Sequence, residues 1–164
     1  MGIDPGLKGV ACAVLDARGV VQDAFFSRAR GPKRDPQTWN SFCHLAFDRC
    51  LQTAGQPLLV VIENPIVYTR GGAPAEDLMP IANVVGILLC QFMQLKHAAV
   101  KTVYPAEWKG QVPKTVHQGR IAKTLTEEEI QRLDTTFKGE MVDILDAIGI
   151  AKKFAPDPSR QHHT

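Results

Sequence analysis

The hydrophobic and polar positions of the chain follow two different periods, and both recur along its length. Short apolar runs bounded by Gly, Pro or charged residues predict β-strands. The predicted strands are a first one closed by Asp4, then 9–16, 20–27, 58–62 and 100–104. The run over 58–62 has no polar position, which is typical of a strand that is covered on both faces.

Longer stretches repeat their apolar residues with a period near 3.6, which predicts amphipathic helices. In the stretch 38–53 one face carries Trp39, Phe42, Cys43, Ala46, Phe47 and Cys50. Further helices are predicted over 76–96, 114–125, from Thr126 onward, and over 140–154. Thr126 and Glu129 have the spacing of a capping box, which marks a helix start.

Three meandering strands followed by alternating helices and strands predict a mixed sheet with helices on both faces. This is the layout of a ribonuclease-H-like α/β domain with five strands. A length of 164 residues, without internal repeats or linkers, favours one domain over 1–155. The Pro-containing end, 156–164, is expected to be a frayed tail.

The composition is that of a soluble globular protein, with 45% hydrophobic and 22% charged residues. The longest mostly apolar stretch, 84–93, is too short to cross a bilayer, and no signal peptide is visible at the N-terminus. The four cysteines form no C-x-x-C pair, so reduced thiols are expected and a zinc site is not. We therefore expect a cytosolic protein.

Asp4-Pro5-Gly6 is a tight-turn signal, because Pro presets its own φ and Gly accepts a positive φ. Most such triplets are turns and nothing more. The alternative is that the Asp4 carboxylate lies at the end of a central strand, which is the usual mouth of a site in an α/β sheet.

Other carboxylates fall on comparable positions. Glu63 directly follows the apolar strand 58–62, and Asp143 and Asp146 lie one turn apart on a helix whose other positions are nearly all apolar. Two acids in such surroundings need a cationic partner or a metal ion. Taken singly, Glu63 can be a solvated strand end, and Asp143 can cap the helix or pair with Lys152 or Lys153, although neither is four residues away.

Taken together, the four acids offer only oxygen ligands, which select Mg²⁺ or Mn²⁺. Two such ions about 4 Å apart would suit in-line phosphodiester hydrolysis. Basic residues are also grouped along the chain. Arg28, Arg30, Lys33 and Arg34 crowd the loop 28–36, where they either track phosphates or form a solvated surface.

Several of these motifs occur together in one known family. Gly2-Ile3-Asp4-Pro5-Gly6, Glu63 at a strand end, and Asp143-x-x-Asp146-Ala147-x-x-x-Ala151 resemble the RuvC family of Holliday junction resolvases over nearly the whole chain. The segment Pro105–Lys114 is similar to phage-encoded members. Two departures stand out, because the first strand begins almost at Met1 and the aromatic wedge of the bacterial enzymes has no close counterpart.

The resemblance implies a homodimer that makes paired, Mg²⁺-dependent nicks in four-way DNA junctions. Asp4, Glu63, Asp143 and Asp146 match the family's metal-binding acids, with two ions per site. Lys109 and Lys114 match basic residues near the scissile phosphate. Tyr68 is the nearest candidate for the wedge, and Arg70, in the same loop, is a further candidate for DNA contact.

The apolar face of the helix 76–96 is broader than one core contact needs, and the resemblance assigns its remainder to a two-fold interface.

Three other interpretations stay open. A debranching nuclease would use the same chemistry on flaps or forks. A nucleotide-binding protein of the actin and sugar-kinase type also has an Asp-x-Gly turn, but its two domains need a longer chain. An inactive junction-binding module is disfavoured by the four intact acids. Trp39 and Trp108 are expected to be packing residues, with a DNA groove as an alternative for Trp108, and the five histidines show no ligand spacing.

Overall fold

The computed structural model of the chain describes residues 1–56, 58–65, 75–136 and 138–156. Its strands are β1 (Gly2–Gly6), β2 (Gly9–Leu15), β3 (Val21–Arg28), β4 (Leu58–Glu63) and β5 (Ala98–Val103). Its helices are α1 (Pro36–Thr53), α2 (Ala75–Met93), α3 (Pro105–Lys109), α4 (Lys114–Thr124), α5 (Glu127–Gln131) and α6 (Met141–Phe154), with a 3₁₀ turn at Lys138–Glu140. The predicted strands and helices follow one another in the predicted order, with the short helix α3 in addition, and α2 ends at Met93 rather than at residue 96.

The strands form one sheet in the order β3-β2-β1-β4-β5. β1, β2 and β3 pair antiparallel, whereas β1, β4 and β5 pair parallel. The prediction of a mixed five-stranded sheet with helices on both faces is therefore confirmed. β1 lies at the centre, so its residues are placed between the meander and the parallel half.

The two faces of the sheet pack against different helices because successive side chains of a strand point to opposite sides. On β2, Val10 and Cys12 belong to a core cluster with residues of α1 and α2. Ala11 and Ala13 belong to a second cluster with α6. These two β2 residues on the α6 face are small, which lets that helix approach the centre of the sheet closely.

Gly2 marks the closest approach of α6 to β1. A Cβ at this position would collide with the backbone of Ala147 and Ala151. Only glycine therefore permits this contact. The contact brings the first half of α6, with its two aspartates, over the end of β1.

The expectation that Asp4 closes the first strand is wrong. Pairing with β2 continues through Pro5 to the pair Gly6–Gly9, and the chain turns at residues 7–8 instead. Gly6 is not among the described glycines with positive φ. The parallel pairing of β1 with β4 ends at Ile3, however, so Asp4 is the first residue beyond the parallel part of the sheet.

Helix α2 is longer than the apolar run that the sequence analysis considered. Its window Glu76–Met93 has a mean hydropathy of 1.3 and is 28% buried, so by length and composition alone it would be able to cross a membrane. This is weak evidence, because core helices of soluble proteins meet the same test. Val84, Leu88 and Phe92 of α2 are fully buried in the core.

Candidate metal-binding site

Asp4 and Glu63 lie on the same face of the sheet. Asp4 is two residues beyond Gly2, which contacts α6, and Glu63 is two residues beyond Val61, which packs with Ile150 of α6. The alternation of side chains therefore directs both carboxylates to the α6 side. Glu63 is the last residue of β4, as predicted.

Three of the four predicted acids come together. One carboxylate oxygen from each of Asp4, Asp143 and Asp146 lies within 4.8 Å of the other two. Glu63 is outside this group but close enough to raise the pKa of Asp4 electrostatically. Metal–oxygen bonds of about 2.1 Å hold ligand oxygens about 3–4 Å apart. The three carboxylate oxygens, within 4.8 Å of one another, are near enough to be drawn onto one such ion.

The acids carry more negative charge than their surroundings compensate. Burial raises the pKa of Asp4 well above its ordinary value, and the neighbouring Glu63 and Asp146 raise it further. Burial likewise raises the pKa of Asp143 and of Glu63, against the opposing effect of nearby lysines. A divalent cation would relieve this repulsion, which is the usual reason for gathering acids in one place.

Lys114 is the cation that the site itself supplies. Its Nζ lies 2.7 Å from Asp146 Oδ2 and 3.4 Å from Asp143 Oδ1. Burial by itself lowers the pKa of Lys114, but the hydrogen bond and charge of Asp146 outweigh burial, so the pKa is raised. Lys114 therefore stays charged. It is one of the two kinds of compensation expected for the aspartates of α6, a cation or a metal ion, but it is not Lys152, which pairs with Glu129 instead.

Asp146 is the most deeply placed of the four acids, at 2% exposure. Besides Lys114 it has a neutral partner, since Gln118 Nε2 donates to Asp146 Oδ1 at 3.1 Å and to the Val142 carbonyl at 3.1 Å. Gln118 and Lys114 are one turn apart on α4. Helix α4 thus orients Asp146 from one side.

Glu63 is held from the other side by Trp108. The indole Nε1–H donates to Glu63 Oε2 at 2.6 Å, and this bond lowers the pKa of Glu63 against the larger effect of burial. Lys109, the next residue, also lowers it through its charge, and its Nζ lies 5.1 Å from the Trp108 ring centroid. Both lysines that the resemblance placed near the scissile phosphate therefore act on the acids.

Two of the four acids, Asp4 and Asp143, line a cleft of about 560 Å³ between β1 and α2. Lys33 and Arg34, two of the predicted DNA-contacting residues, line this cleft together with Lys8. Arg34 forms a salt bridge with Asp77 of α2 at 3.0 Å.

The other predicted DNA-contacting residues are less closely associated with the acids. Arg28 is the last residue of β3 rather than part of the loop, and it lies 3.9 Å from Glu140. Arg30 is exposed. Tyr68 and Arg70 lie outside the described residues, as do positions 157–164 of the expected tail.

Sequence reasoning missed three members of the site. For Trp108 the sequence predicts packing, with a DNA groove as the alternative. The residue is buried at 4%, and its N–H also donates to the Glu63 carboxylate. Gln118 carried no signal, because a glutamine in a polar helix looks like a surface residue. Lys8 is isolated in sequence and reaches the cleft only through the turn after β1.

The sheet order, with helices on both faces, is that of a ribonuclease-H-like fold. This fold is shared with solved structures, two of which are RuvC structures from Thermus thermophilus. A Thermus thermophilus RuvC in complex with a Holliday junction substrate is 17% identical, with a TM-score of 0.63 over 94% of this chain and 90% of that one. A second T. thermophilus RuvC structure is 17% identical, with a TM-score of 0.51 over 94% and 91%.

The resemblance to RuvC that the sequence motifs indicated is thus confirmed for the fold. No family model matches the chain, and no curated protein matches it. At this level of identity the roles of individual residues stay predictions.

Proposed function

We propose that this protein is a structure-selective DNA endonuclease of the RuvC type. It would resolve four-way junctions by divalent-metal-dependent hydrolysis of phosphodiester bonds, acting in the cytosol with residues 1–155 as its single nuclease domain. The observation that supports this most is the meeting of Asp4, Asp143 and Asp146 within 4.8 Å, on a fold shared with a RuvC that was captured on a junction.

In this proposal Asp4, Glu63, Asp143 and Asp146 hold two Mg²⁺ ions, for which Mn²⁺ can substitute. Bound divalent ions supply Lewis-acid stabilisation of the charge that develops on the phosphodiester. Asp4 is central because, after burial, the charges of Glu63 and of both α6 aspartates raise its pKa. Asp143, at 37% side-chain exposure, is the acid that reaches furthest toward solvent and helps to orient the attacking water.

Lys109 and Lys114 would steady the negative charge of the phosphate during cleavage. Both already interact electrostatically with the acids, and the Lys114 side chain is 48% exposed, so it can reach a bound backbone. Lys33 and Arg34 extend positive charge along the same cleft. The DNA strand would follow this line, with Arg28, Arg30, Tyr68 and Arg70 as further contacts.

A homodimer would place two such sites at a fixed separation, as paired nicking requires. Helix α2 offers the surface for it. Its outward side carries Met79 and Met93, which are 69% and 70% exposed, and the small exposed residues Ala82, Gly86 and Cys90 between them. A charge at the centre, as in Gly86→Glu, should convert a dimer to monomers in analytical ultracentrifugation.

The test is cleavage of a synthetic four-way junction labelled on each strand in turn. In Mg²⁺ or Mn²⁺ we expect symmetric nicks in two opposing strands, and none with a chelator. A linear duplex of the same sequence controls for unspecific nicking, and a flap at equal concentration tests the debranching alternative. Preference for the flap would replace the junction assignment, and no metal-dependent cleavage of any branched substrate would refute the proposal.

A further inference from the structure

We propose that Trp108 is a positioning residue of this site, which fixes the Glu63 carboxylate through its indole N–H so that Glu63 can serve as a metal ligand. The inference rests on the proposed function. It assigns to a buried aromatic residue a role that packing alone does not require.

The hydrogen bond is short and selective. Trp108 Nε1 lies 2.6 Å from Glu63 Oε2, whereas Oε1 accepts no hydrogen bond from the part of the chain that the structure describes. One oxygen is therefore anchored and the other is left for a cation. Such outer partners of ligating carboxylates orient them and raise metal affinity.

The indole is itself held rigidly. It packs with Val61, Val103 and Ile150, and its ring meets His117 edge to face at a centroid distance of 4.9 Å. Helix α3 has only five residues, so these contacts, rather than the helix, fix the orientation of the ring.

Gly149 of α6 makes room for this arrangement. A Cβ there would lie 2.9 Å from Trp108 Cζ3 and 2.9 Å from His117 Nε2, closer than real Cβ contacts allow. The helix that carries Asp143 and Asp146 is thus also the helix against which Trp108 is seated. Glu63, on another element, is thereby fixed relative to the aspartates.

The experiment compares two tryptophan variants, because the chain has two tryptophans and each donates one short hydrogen bond. Trp108→Phe removes the bond to Glu63. Trp39→Phe removes a 2.7 Å bond from Trp39 Nε1 to the Lys33 carbonyl and leaves the acids untouched. Mg²⁺ binding is measured by calorimetry without DNA, and folding by thermal melting.

We expect Trp108→Phe to weaken Mg²⁺ binding about 10- to 100-fold, as loss of an outer partner usually does, and Trp39→Phe to leave it unchanged. In a Glu63→Gln background, Trp108→Phe should cause no further weakening, because Trp108 acts through Glu63. Equal Mg²⁺ affinity in the two tryptophan variants, or full additivity with Glu63→Gln, would overturn the inference.

A second measurement does not depend on folding of the Trp108 variant. In folded Trp39→Phe protein, Trp108 is the single tryptophan, and with excitation selective for tryptophan Mg²⁺ should shift its emission as the Glu63 carboxylate redistributes its charge. An unchanged emission at saturating Mg²⁺ contradicts the inference. If the unaltered protein binds no Mg²⁺ at all, the proposed function fails instead, so the two failures are distinguishable.

Discussion

Asp146 and Glu129 are alike in burial but differ in their surroundings. They are 2% and 3% exposed. Each is paired with a lysine, Asp146 with Lys114 at 2.7 Å and Glu129 with Lys152 at 3.2 Å. By burial and ion pairing alone, either would qualify as a functional carboxylate.

The difference lies in what else surrounds each group. Glu129 accepts hydrogen bonds from the backbone N–H groups of Val21 and Thr126. Burial by itself raises the pKa of Glu129, but these bonds and Lys152 outweigh it, so the pKa is lowered. Glu129 is a satisfied structural acid.

Asp146 instead shares its surroundings with three further acids, and the pKa values of Asp4, Glu63 and Asp143 are all raised, chiefly by burial. The lesson is that burial of a carboxylate does not mark a site, whereas a surplus of buried negative charge does. The following experiments test that distinction.

The largest effect is expected from Asp4→Asn. The variant loses a charge from the centre of the cluster, so cleavage of a four-way junction should fall about 1,000-fold, or about 4 kcal/mol in transition-state stabilisation. Junction binding, measured by gel shift, and the melting temperature in chelator should be retained. Substantial cleavage by this variant in Mg²⁺ would remove Asp4 from the catalytic site.

For the free energy of unfolding, in contrast to cleavage, the structural acid Glu129 should matter more than the cluster acid Asp146. Glu129→Gln leaves Lys152 beside a neutral group, and the free energy of unfolding should drop by about 3 kcal/mol, as for a broken buried ion pair. Asp146→Asn relieves the repulsion among the clustered acids, and Asp143 still faces Lys114. In chelator this variant should therefore lose less free energy of unfolding than Glu129→Gln. Urea unfolding of both variants checks this. A larger loss for Asp146→Asn would mean that the cluster is structural.

The sequence predicts the local role of a buried acid but not its distant partners. The capping box from Thr126 to Glu129 depends on residues three apart, and it is confirmed. The Lys152 partner is 23 residues away, so no local pattern indicates it. Likewise, the spacing of Asp143 and Asp146 follows from helix geometry, whereas their meeting with Asp4 depends on the packing of α6 on β1.

The errors have the same origin. Asp4-Pro5-Gly6 satisfies the local rule for a turn, but pairing with β2 extends β1 through Gly6. The Trp108 N–H finds Glu63 across 45 residues, and a pattern of apolar positions says nothing about which polar group an indole meets. Periodicity determined the elements, and contacts between distant elements determined the site.

Removing the lysine of the cluster should have an intermediate effect. Lys114→Met leaves the nearly buried Asp146 without its cation, so we expect a loss of about 2 kcal/mol in chelator. Added Mg²⁺ should then raise the melting temperature more than it does in the unaltered protein. Lys123→Met, on the exposed end of α4, is the matched control and should change neither quantity. An equal response to Mg²⁺ in all three proteins would argue against an ion at these acids.

The pH dependence of stability separates the two kinds of acid by sign. The folded pKa of Asp4 and of Asp143 lies above the ordinary 3.8, so in chelator stability should fall as pH rises above about 4. The folded pKa of Glu129 lies below its ordinary 4.5, so its contribution is present above that pH and is lost as pH falls further. Thermal melting from pH 3 to 8 measures both pH dependences. Saturating Mg²⁺ should reduce only the loss of stability above about pH 4, which comes from Asp4 and Asp143.

The smallest stability effect is expected where an acid and a base meet in solvent. Arg34 contacts Asp77 at 3.0 Å with 56% and 30% of the side chains exposed, so Arg34→Gln should leave the melting temperature nearly unchanged. Its positive charge lines the cleft beside the acids, however, and one lost phosphate contact should reduce the salt dependence of junction binding by about one unit of log–log slope. Fluorescence anisotropy across a salt series measures this. An unchanged slope would mean that the DNA backbone does not contact Arg34. The proposed path of the DNA strand would then run past Lys8 instead.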